Sequence, residues 1–300
     1  MTQHTKAFCF GLSALACIVA TNGLADTTIF VSDSTNNKIE KFDSSGTDLG
    51  TFATTGLNAP TGLAFDSSGN LYVANHGNST IVKFNSSGTV LATFGSGVLS
   101  GPEGLAFDSS GNLYVANPGN NNIQKFNSSG AVIGVFSTDP NNPWGLAFDS
   151  SGNLYTGDGN RIGKFNSSGV DLGAFSALPF GNGLAFDSSG NLYVTTGNSV
   201  AKLSSSGDVL ATYTTGLNGP IGLAFDNRGN LYVANQGNST IEEFDASGTD
   251  LGAFSTGSTT SLYIAITDSI NAVPEPSTWQ ILVVGVAALL SGFRLRRRSS

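Results

Sequence analysis

A stretch of thirteen residues, LAFDSSGNLYVAN, begins at Leu63, recurs unchanged at Leu105 and returns with small changes three more times. The five copies begin at Leu63, Leu105, Leu146, Leu184 and Leu223, in steps of 42, 41, 38 and 39 residues. A repeat of about 40 residues that holds only short apolar runs predicts a β-propeller with one blade per repeat. A catalytic residue is needed once in a chain, whereas a packing residue is needed in every copy. We therefore interpret the recurring aromatic and aliphatic positions as core.

One full repeat, residues 62–94, contains four apolar runs separated by turn sequences. DSSGN joins the first two runs, NSSG joins the last two, and a longer loop separates the second from the third. The acid or amide can bond to backbone amides downstream, and the glycine can adopt positive φ. Each repeat is therefore predicted to form four short antiparallel strands. Adjacent apolar residues, as in LYVA, indicate strands covered on both faces, as expected for a blade between two neighbours.

The first and last repeats are incomplete in complementary ways. Residues 29–52 match the last three strands of a repeat, and residues 263–271 match the missing first strand. We predict an all-β, six-bladed propeller of four-stranded antiparallel blades, with the N- and C-terminal strands closing one blade. Dividing residues 27–272 among six blades gives 41 residues each, which matches the period. Such closure would cover strand edges that otherwise invite aggregation.

The first 25 residues have the layout of a secretory signal peptide. They carry Lys6, an apolar run over residues 7–20 and small residues before Asp26, where cleavage is expected. Cys17 offers a lipoprotein alternative, although ALA before it is a poor lipobox. Since Cys9 and Cys17 both lie in this segment, the mature chain would contain no thiol and no disulfide. The predicted mature domain, residues 26–272, must then depend on core burial alone.

The exported part of the chain is strongly acidic. Removing Lys6 and four tail arginines from the 13 basic residues leaves eight, against 21 acidic residues and a net charge near −13. Nucleic acids and anionic membranes need basic patches, so we do not expect either as a partner of the domain. The charge favours cations or neutral glycans.

The repeat PxGLAFDxxGNLYVANxxNxxIxKF resembles that of the NHL family, whose units run through a proline-glycine start, a GN turn and a terminal aromatic residue. The resemblance covers about 245 residues. It implies a propeller, and it leaves the activity open because NHL-like propellers include RNA-binding, protein-binding and enzymatic members.

The C-terminal segment consists of a linker, an apolar run and a basic end. The linker spans residues 273–278, the apolar run 279–293 and the basic tail 294–300. A run of 15 residues makes a helix of about 22 Å, shorter than the roughly 30 Å hydrocarbon layer. We predict a short hydrophobic helix that crosses the inner membrane transiently, with the basic tail in the cytoplasm and the domain in the periplasm. An ordinary membrane anchor is the plain alternative.

The order of these three parts closely resembles the PEP-CTERM sorting signal. That resemblance implies a Gram-negative-type bacterium that makes exopolysaccharide, and an exosortase that processes the tail. The residues that carry it are Pro274, Glu275, Pro276, Arg294, Arg296, Arg297 and Arg298. The expected destination is the cell surface or the extracellular matrix.

A ligand site is expected on only one face of the predicted disc. The DSSGN and NSSG turns share one face, here called the repeated face, and hardly change between copies. The second-to-third-strand loops and the blade-to-blade connections share the other, the variable face, and ligands commonly bind to variable loops on a rigid scaffold. The candidate ligand-binding residues there are His76, Glu103, Asp139, Trp144, Asp158, Arg161 and Gln236. Trp144 could stack on a sugar or simply cap a blade.

The remaining chemistry-bearing residues argue against an enzyme. His76 is the only histidine left after export, which excludes a multi-histidine metal site, and no cysteine nucleophile remains. We therefore predict a non-catalytic module that binds an extracellular glycan or protein, with no firm cofactor. The alternatives are a purely structural matrix component and a calcium-dependent hydrolase or lyase that resembles the six-bladed lactonases. Weak calcium candidates are Asp33, Asn75, Asn117 and Asn235, which end equivalent strands and could instead bond to nearby backbone.

Overall fold

The apolar runs of the repeats form antiparallel strands in the computed structural model of the protein, which describes residues 26–138, 140–179, 181–258 and 261–269. Within these ranges, 24 strands are arranged in six four-stranded sheets. Helix is limited there to two single 3₁₀ turns, His76–Asn78 and Pro118–Asn120. The prediction of an all-β propeller with six four-stranded antiparallel blades is confirmed.

The strands are numbered in chain order, and the first half of the chain supplies most of three blades. The first three strands are β1 (Asp26–Asp33), β2 (Lys38–Asp43) and β3 (Asp48–Ala53). Blade 2 consists of β4 (Pro60–Phe65), β5 (Leu71–Asn75), β6 (Thr80–Phe84) and β7 (Val90–Phe94). Blade 3 consists of β8 (Leu105–Phe107), β9 (Leu113–Asn117), β10 (Asn122–Phe126) and β11 (Val132–Ser137).

The second half of the chain supplies the other three blades and one further strand. Blade 4 consists of β12 (Leu146–Phe148), β13 (Leu154–Gly157), β14 (Ile162–Phe165) and β15 (Asp171–Ser176). Blade 5 consists of β16 (Leu184–Phe186), β17 (Leu192–Thr196), β18 (Ser199–Leu203) and β19 (Val209–Tyr213). Blade 6 consists of β20 (Pro220–Phe225), β21 (Leu231–Asn235), β22 (Thr240–Phe244) and β23 (Asp250–Ser255). The last strand is β24 (Ser261–Ser269), and blade 1 has the order β24–β1–β2–β3.

The DSSGN turns keep the first two strands of a blade in register. In blade 2 the Asp66 carboxylate accepts hydrogen bonds from the backbone amides of Ser68 and Asn70, both at 2.9 Å. Gly69 adopts a φ of +77°, which costs glycine little because it has no Cβ. The same carboxylate-to-amide pattern recurs at Asp108, Asp149, Asp187 and Asp226. Local turn chemistry therefore explains why this sequence is repeated.

The core consists of six apolar clusters, each lying between two neighbouring blades. Tyr72 of blade 2, for example, is buried beside Phe107 of blade 3, with ring centroids 4.9 Å apart in an edge-to-face arrangement. Ile264 of β24 lies in the cluster that joins blades 6 and 1. Burying each large apolar side chain stabilises the fold by about 1.5–3 kcal/mol. Because every interface repeats this packing, the blades support one another without a cross-link.

The first strand of each blade lines the central tunnel. A glycine precedes the Leu-Ala-Phe triplet in five blades, and these glycines surround the tunnel with the adjoining leucines. A Cβ at Gly62 would overlap the Glu103 carbonyl oxygen, and one at Gly104 would overlap that of Trp144. The glycines therefore let the inner strands of neighbouring blades approach closely. The space left in the tunnel is only about 60 Å³.

Candidate functional site

One cavity occupies the mouth of the tunnel on the variable face. This mouth cavity has a volume of about 410 Å³. It is lined by Ser34, Ala59, Thr61, His76, Glu103, Trp144, Asn182, Ile221, Gln236 and Tyr263. Four of the predicted candidates, His76, Glu103, Trp144 and Gln236, are thus brought together.

A single position of the repeat supplies half of this lining. It is the residue directly before the tunnel glycine, written x in PxGLAF, and the connection between blades carries it to the tunnel mouth. This position is occupied by Thr61, Glu103, Trp144, Asn182 and Ile221 in blades 2 to 6. The glycine that follows this position is required because the neighbouring backbone leaves no room for a side chain. The residue at x makes no contact that is common to all blades, and it differs in all five of them. Thr61, Asn182 and Ile221 were not predicted as site residues, although they vary between copies while the residues around them stay constant.

His76 and Glu103 form the charged pair of the cavity. His76 begins the 3₁₀ turn between β5 and β6, and Glu103 lies in the connection that enters blade 3. The Nδ1 atom of His76 lies 2.8 Å from Oε1 of Glu103. The Glu103 residue is only 4 % exposed, whereas half of the His76 side chain is exposed. A buried carboxylate thus holds an accessible imidazole at the rim of the cavity.

The pKa values of this pair are shifted by their contact and by burial. The hydrogen bond to Glu103 raises the pKa of His76 above its ordinary value of 6.5, although partial burial opposes the shift. Burial raises the pKa of Glu103, and the hydrogen bond to His76 only partly counters it. Because each partner favours the charged form of the other, the imidazole and the carboxylate can share a proton.

Trp144 forms one wall of the cavity on a rigidly held backbone. Its amide donates to the Gly157 carbonyl, and its carbonyl accepts from the Gly104 amide, both at 3.0 Å. These bonds join the connection to blades 4 and 3. The side chain is only partly buried and lines the cavity. An aromatic surface in a fixed position is therefore available to a ligand.

Tyr263, which was not predicted as a site residue, lines the bottom of the cavity. It stands in β24 at the position that glycine occupies in the other five blades, so its side chain enters the tunnel. The residue is 7 % exposed, and among the described residues its hydroxyl has no hydrogen-bond partner. Burial, together with the nearby Glu103 carboxylate, raises the pKa of Tyr263 well above its ordinary value. Tyr263 could have been recognised in the sequence, because it replaces a glycine that the other five copies share.

Asp158 and Arg161 do not line the mouth cavity. The Arg161 guanidinium donates to the Asp158 carboxylate at 2.9 Å and to Asp171 at 2.6 Å. These residues form an ion-pair cluster between β13, β14 and β15 of blade 4. Asp139, the last of the candidates, lies outside the described residues.

The weak calcium candidates are used to attach connections to strand ends. The Asn75 side chain accepts from the Asn58 amide at 3.0 Å and donates to the Gly56 carbonyl at 2.8 Å. Asn117 and Asn235 make equivalent bonds in blades 3 and 6. Asp33 accepts from the Asn36 amide at 3.0 Å. Their oxygens already accept hydrogen bonds from backbone donors, and the described ranges contain no group of three histidine, cysteine, aspartate or glutamate residues that could hold a metal ion.

The family comparison finds the repeat directly. Residues 57–84 and 99–126 match the model of the NHL repeat. The two matched segments cover β4–β6 and β8–β10, including the turns described above. None of the curated protein sequences matches the chain.

Several solved structures share the fold of this propeller. The structure of a nidogen/laminin complex matches with a TM-score of 0.69 and 22 % identity, covering 80 % of this chain and 98 % of that one. A streptogramin B lyase matches with a TM-score of 0.59 and 17 % identity, covering 76 % and 79 %. A virginiamycin B lyase from Staphylococcus aureus, with quinupristin, matches with a TM-score of 0.60 and 12 % identity, covering 83 % and 94 %. At these identities the similarity shows the fold alone.

The prediction that the protein is not an enzyme is corrected by these structures. It was wrong to exclude catalysis because one histidine and no thiol remain after export. The virginiamycin B lyase structure is that of a catalytically inactive variant in which alanine replaces a histidine. Propellers of this fold thus include lyases, so the residue inventory alone does not exclude an enzyme.

The predicted targeting segments lie beyond the described part of the chain. They are the signal peptide 1–25, the linker and apolar run 273–293, and the basic tail 294–300 with the sorting residues. Within the described ranges, neither 3₁₀ turn is long or apolar enough to span a membrane.

Proposed function

We propose that the NHL-repeat propeller is an exported binding module that holds a glycan or a protein on its variable face, over the mouth cavity. The observation that carries this proposal is the contrast between the two faces. The repeated face is formed by near-identical turns that bond to their own backbone. The variable face places a different side chain from each of blades 2 to 6 around one cavity. Diversity confined to one place on a constant scaffold is typical of a recognition site.

The structural neighbours are consistent with a binding role. A propeller of similar shape occurs in the nidogen/laminin complex, and it matches over 98 % of its own length. A protein partner for this chain is therefore proposed only from the similarity of its fold to that propeller. The net charge of the exported part of the chain, near −13, further favours a neutral or basic partner.

The test compares variants on the two faces. We expect the full chain to bind to a glycan array, or to purified surface polysaccharide and surface proteins of the producing bacterium. Trp144→Ala should reduce the bound amount at least tenfold, because it removes the aromatic wall without touching the backbone bonds. Ser109→Ala, in an exposed turn of the repeated face, is the matched control and should bind normally. If Trp144→Ala binds normally, the site is elsewhere, and if the full chain binds nothing, a purely structural matrix role is favoured.

A lyase is the second candidate function, favoured by one specific observation. His76 is hydrogen-bonded to a buried carboxylate at the tunnel mouth, and such a pair can remove and return a proton. The full chain would be incubated with quinupristin and with surface polysaccharide, with calcium or with a chelator, and products followed by mass spectrometry. A product that disappears in His76→Ala would establish lyase activity in place of a binding module.

The route of export is also proposed, from the resemblance of the termini to a signal peptide and a PEP-CTERM tail. The signal peptide would be removed before Asp26, and an exosortase would process the tail near Pro274-Glu275-Pro276. Mass spectrometry of secreted protein should find no peptide beyond about Thr278. An intact tail in the mature protein would contradict the proposal.

Closure of the propeller by the two ends of the domain is part of the same proposal. The Tyr263 amide donates to the Ser32 hydroxyl at 3.0 Å, and the Thr27 hydroxyl donates to the Asp268 carboxylate at 2.8 Å. These contacts join β24 to β1. We propose that this pairing holds the ring together in the folded protein, and with it the floor of the mouth cavity.

A further inference from the structure

We infer that the mouth cavity recognises the uncharged terminal sugar ring of a glycan, bound end-on. This inference rests on the proposed function, and it specifies the ligand and the direction from which the ligand enters. Three features of the cavity carry it: a blocked tunnel, an aromatic wall among unpartnered polar groups, and an internally paired charge.

The blocked tunnel makes the cavity a dead end. Below the mouth, the ring of glycines draws the inner strands together, and Tyr263 fills the one position where glycine is missing. The remaining space of about 60 Å³ has room for a few water molecules and not for a sugar ring. A polymer cannot pass through the propeller. A ligand that fills the cavity must therefore present a chain end.

The walls combine an aromatic surface with polar groups that lack partners. Within the described ranges, the Trp144 indole and the side-chain amides of Asn182 and Gln236 make no hydrogen bond to another protein group. A pyranose fits this set, because its C–H face stacks on an aromatic ring while its hydroxyls both donate and accept. Amide groups are suited to such hydroxyls since each carries both a donor and an acceptor.

The charge of the cavity disfavours ionised sugars. Its carboxylate, Glu103, is already paired with its imidazole, His76, at 2.8 Å. An anionic sugar would meet Glu103 without a free cation and would approach an exported chain whose net charge is near −13. A cationic sugar would have to compete with His76 for a carboxylate that is only 4 % exposed. A neutral ring meets neither obstacle.

The cavity volume agrees with a ligand of this size. About 410 Å³ lies within the range of roughly 300–1,000 Å³ that is usual for small-molecule sites. The exposed His76 and Gln236 at its rim leave the rest of the glycan in solvent. Terminal recognition thus needs no groove across the disc.

The test uses Trp144 as a reporter in the full chain. Since the chain has two tryptophans, Trp279→Phe leaves Trp144 as the only one. This protein is titrated with the methyl pyranosides of glucose, galactose and mannose, and with methyl glucuronide. We expect a saturable change in Trp144 emission with at least one neutral glycoside, and at least tenfold weaker binding of the glucuronide. A linear oligosaccharide that ends in the bound sugar should bind, and the same chain capped with a uronic acid should not.

Asn182→Ala separates binding from folding. It removes only a partly exposed side-chain amide that lines the cavity, so thermal stability should be unchanged while sugar affinity falls severalfold. Asn227→Ala, in an exposed turn of the repeated face, is the matched control and should leave affinity unchanged. The inference is overturned if no neutral glycoside alters the emission, or if the glucuronide binds equally well. If sugars fail but Trp144→Ala still abolishes binding to a surface protein, the proposed function stands and the sugar specificity is wrong.

Discussion

At the scale of single residues, the chemistry of this protein is concentrated at one position of the repeat. Thr61, Glu103, Trp144, Asn182 and Ile221 share a backbone setting and have no side-chain chemistry in common. The turn residues show the opposite behaviour, because Asp66 and its equivalents make the same bonds in each copy. A residue that the repeat does not require for its fold can be replaced by one that binds a ligand. A turn residue cannot be replaced without losing the hydrogen bonds that hold the turn.

The first prediction concerns the His76–Glu103 pair. Glu103→Gln should lower the pKa of His76 towards its ordinary value, because the carboxylate is the main cause of the raised pKa. The raised pKa also means that the pair stabilises the fold at acidic pH and that this contribution is lost as the pH rises through the pKa of His76. NMR titration of the imidazole C–H signals measures the shift. Glu242→Gln, which removes a remote carboxyl group, should leave the pKa of His76 unchanged.

A second prediction concerns Glu242 in β22. Burial and the neighbouring Asp250 carboxylate raise its pKa from 4.5 to about 7. A carboxyl group whose pKa is higher in the folded state stabilises the fold below pH 4.5, and this contribution is lost as the pH rises through about 7. Relative to the wild type, Glu242→Gln should therefore be more stable at pH 8 than at pH 5, as measured by urea unfolding.

The control for that experiment is the exposed turn residue Asp245. Its pKa is lowered, chiefly by the hydrogen bond from Ser247. Asp245→Asn keeps an acceptor oxygen for the turn and should not gain stability at pH 8. Equal effects of Glu242→Gln at pH 5 and pH 8 would contradict the assignment of a raised pKa to Glu242.

At the scale of structural elements, the inner strands depend on glycine for their spacing. The amide of Gly104 donates to the Trp144 carbonyl at 3.0 Å, so β8 of blade 3 lies directly against the connection to blade 4. No side chain fits between them. Glycine in a strand usually weakens it, but here it permits a close approach of two backbones. The tunnel is narrow for this reason.

The third prediction follows from this spacing. Gly104→Ala should lower the free energy of unfolding by about 3 kcal/mol, because the new Cβ overlaps backbone that cannot rotate away. Gly69→Ala is the comparison: φ is +77° there, and a Cβ would meet no neighbouring atom within 4 Å, so only backbone strain of about 1 kcal/mol is expected. Chemical denaturation of both variants gives the difference. Equal losses would show that close approach does not limit the tunnel.

At the scale of the whole domain, stability comes from a ring of equivalent interfaces. Each of the six apolar clusters joins two neighbouring blades, and in the proposed closure blade 1 takes its strands from both ends of the domain. Since each blade packs only against its two neighbours, a destabilising substitution at one interface affects the blades on both sides of it. The junction at β24 carries particular weight, because no peptide connection there joins β24 to β1.

The fourth prediction tests this junction. Ile264 is 6 % exposed in the cluster between blades 6 and 1, whereas Ile133 in outer strand β11 is 54 % exposed. Ile264→Asp should cost at least about 3 kcal/mol, since it removes apolar burial and places a charge in the core. Ile133→Asp, the same substitution at the solvent-facing edge, should change the free energy of unfolding by less than about 0.5 kcal/mol. Similar small effects of both would contradict closure by β24.

The structure of a single blade could be predicted from its own residues. The period, the DSSGN turns and the paired apolar runs act within about 40 residues, so local turn chemistry and burial pattern specify the four strands and their number of copies. The variable face could also be predicted, because alternate turns of an antiparallel blade must share a face. Four residues of the mouth cavity were found in this way.

Which variable residues meet in the cavity depends on how the blades are arranged around the ring. Glu103 and Tyr263 are 160 positions apart in the chain, yet both line one cavity. Asp158 and Arg161, also on variable loops, lie away from it, where Arg161 pairs with both Asp158 and Asp171. Whether a variable residue lines the cavity depends on its distance from the axis of the ring. Packing between blades sets that distance, so the sequence of a single repeat cannot predict it.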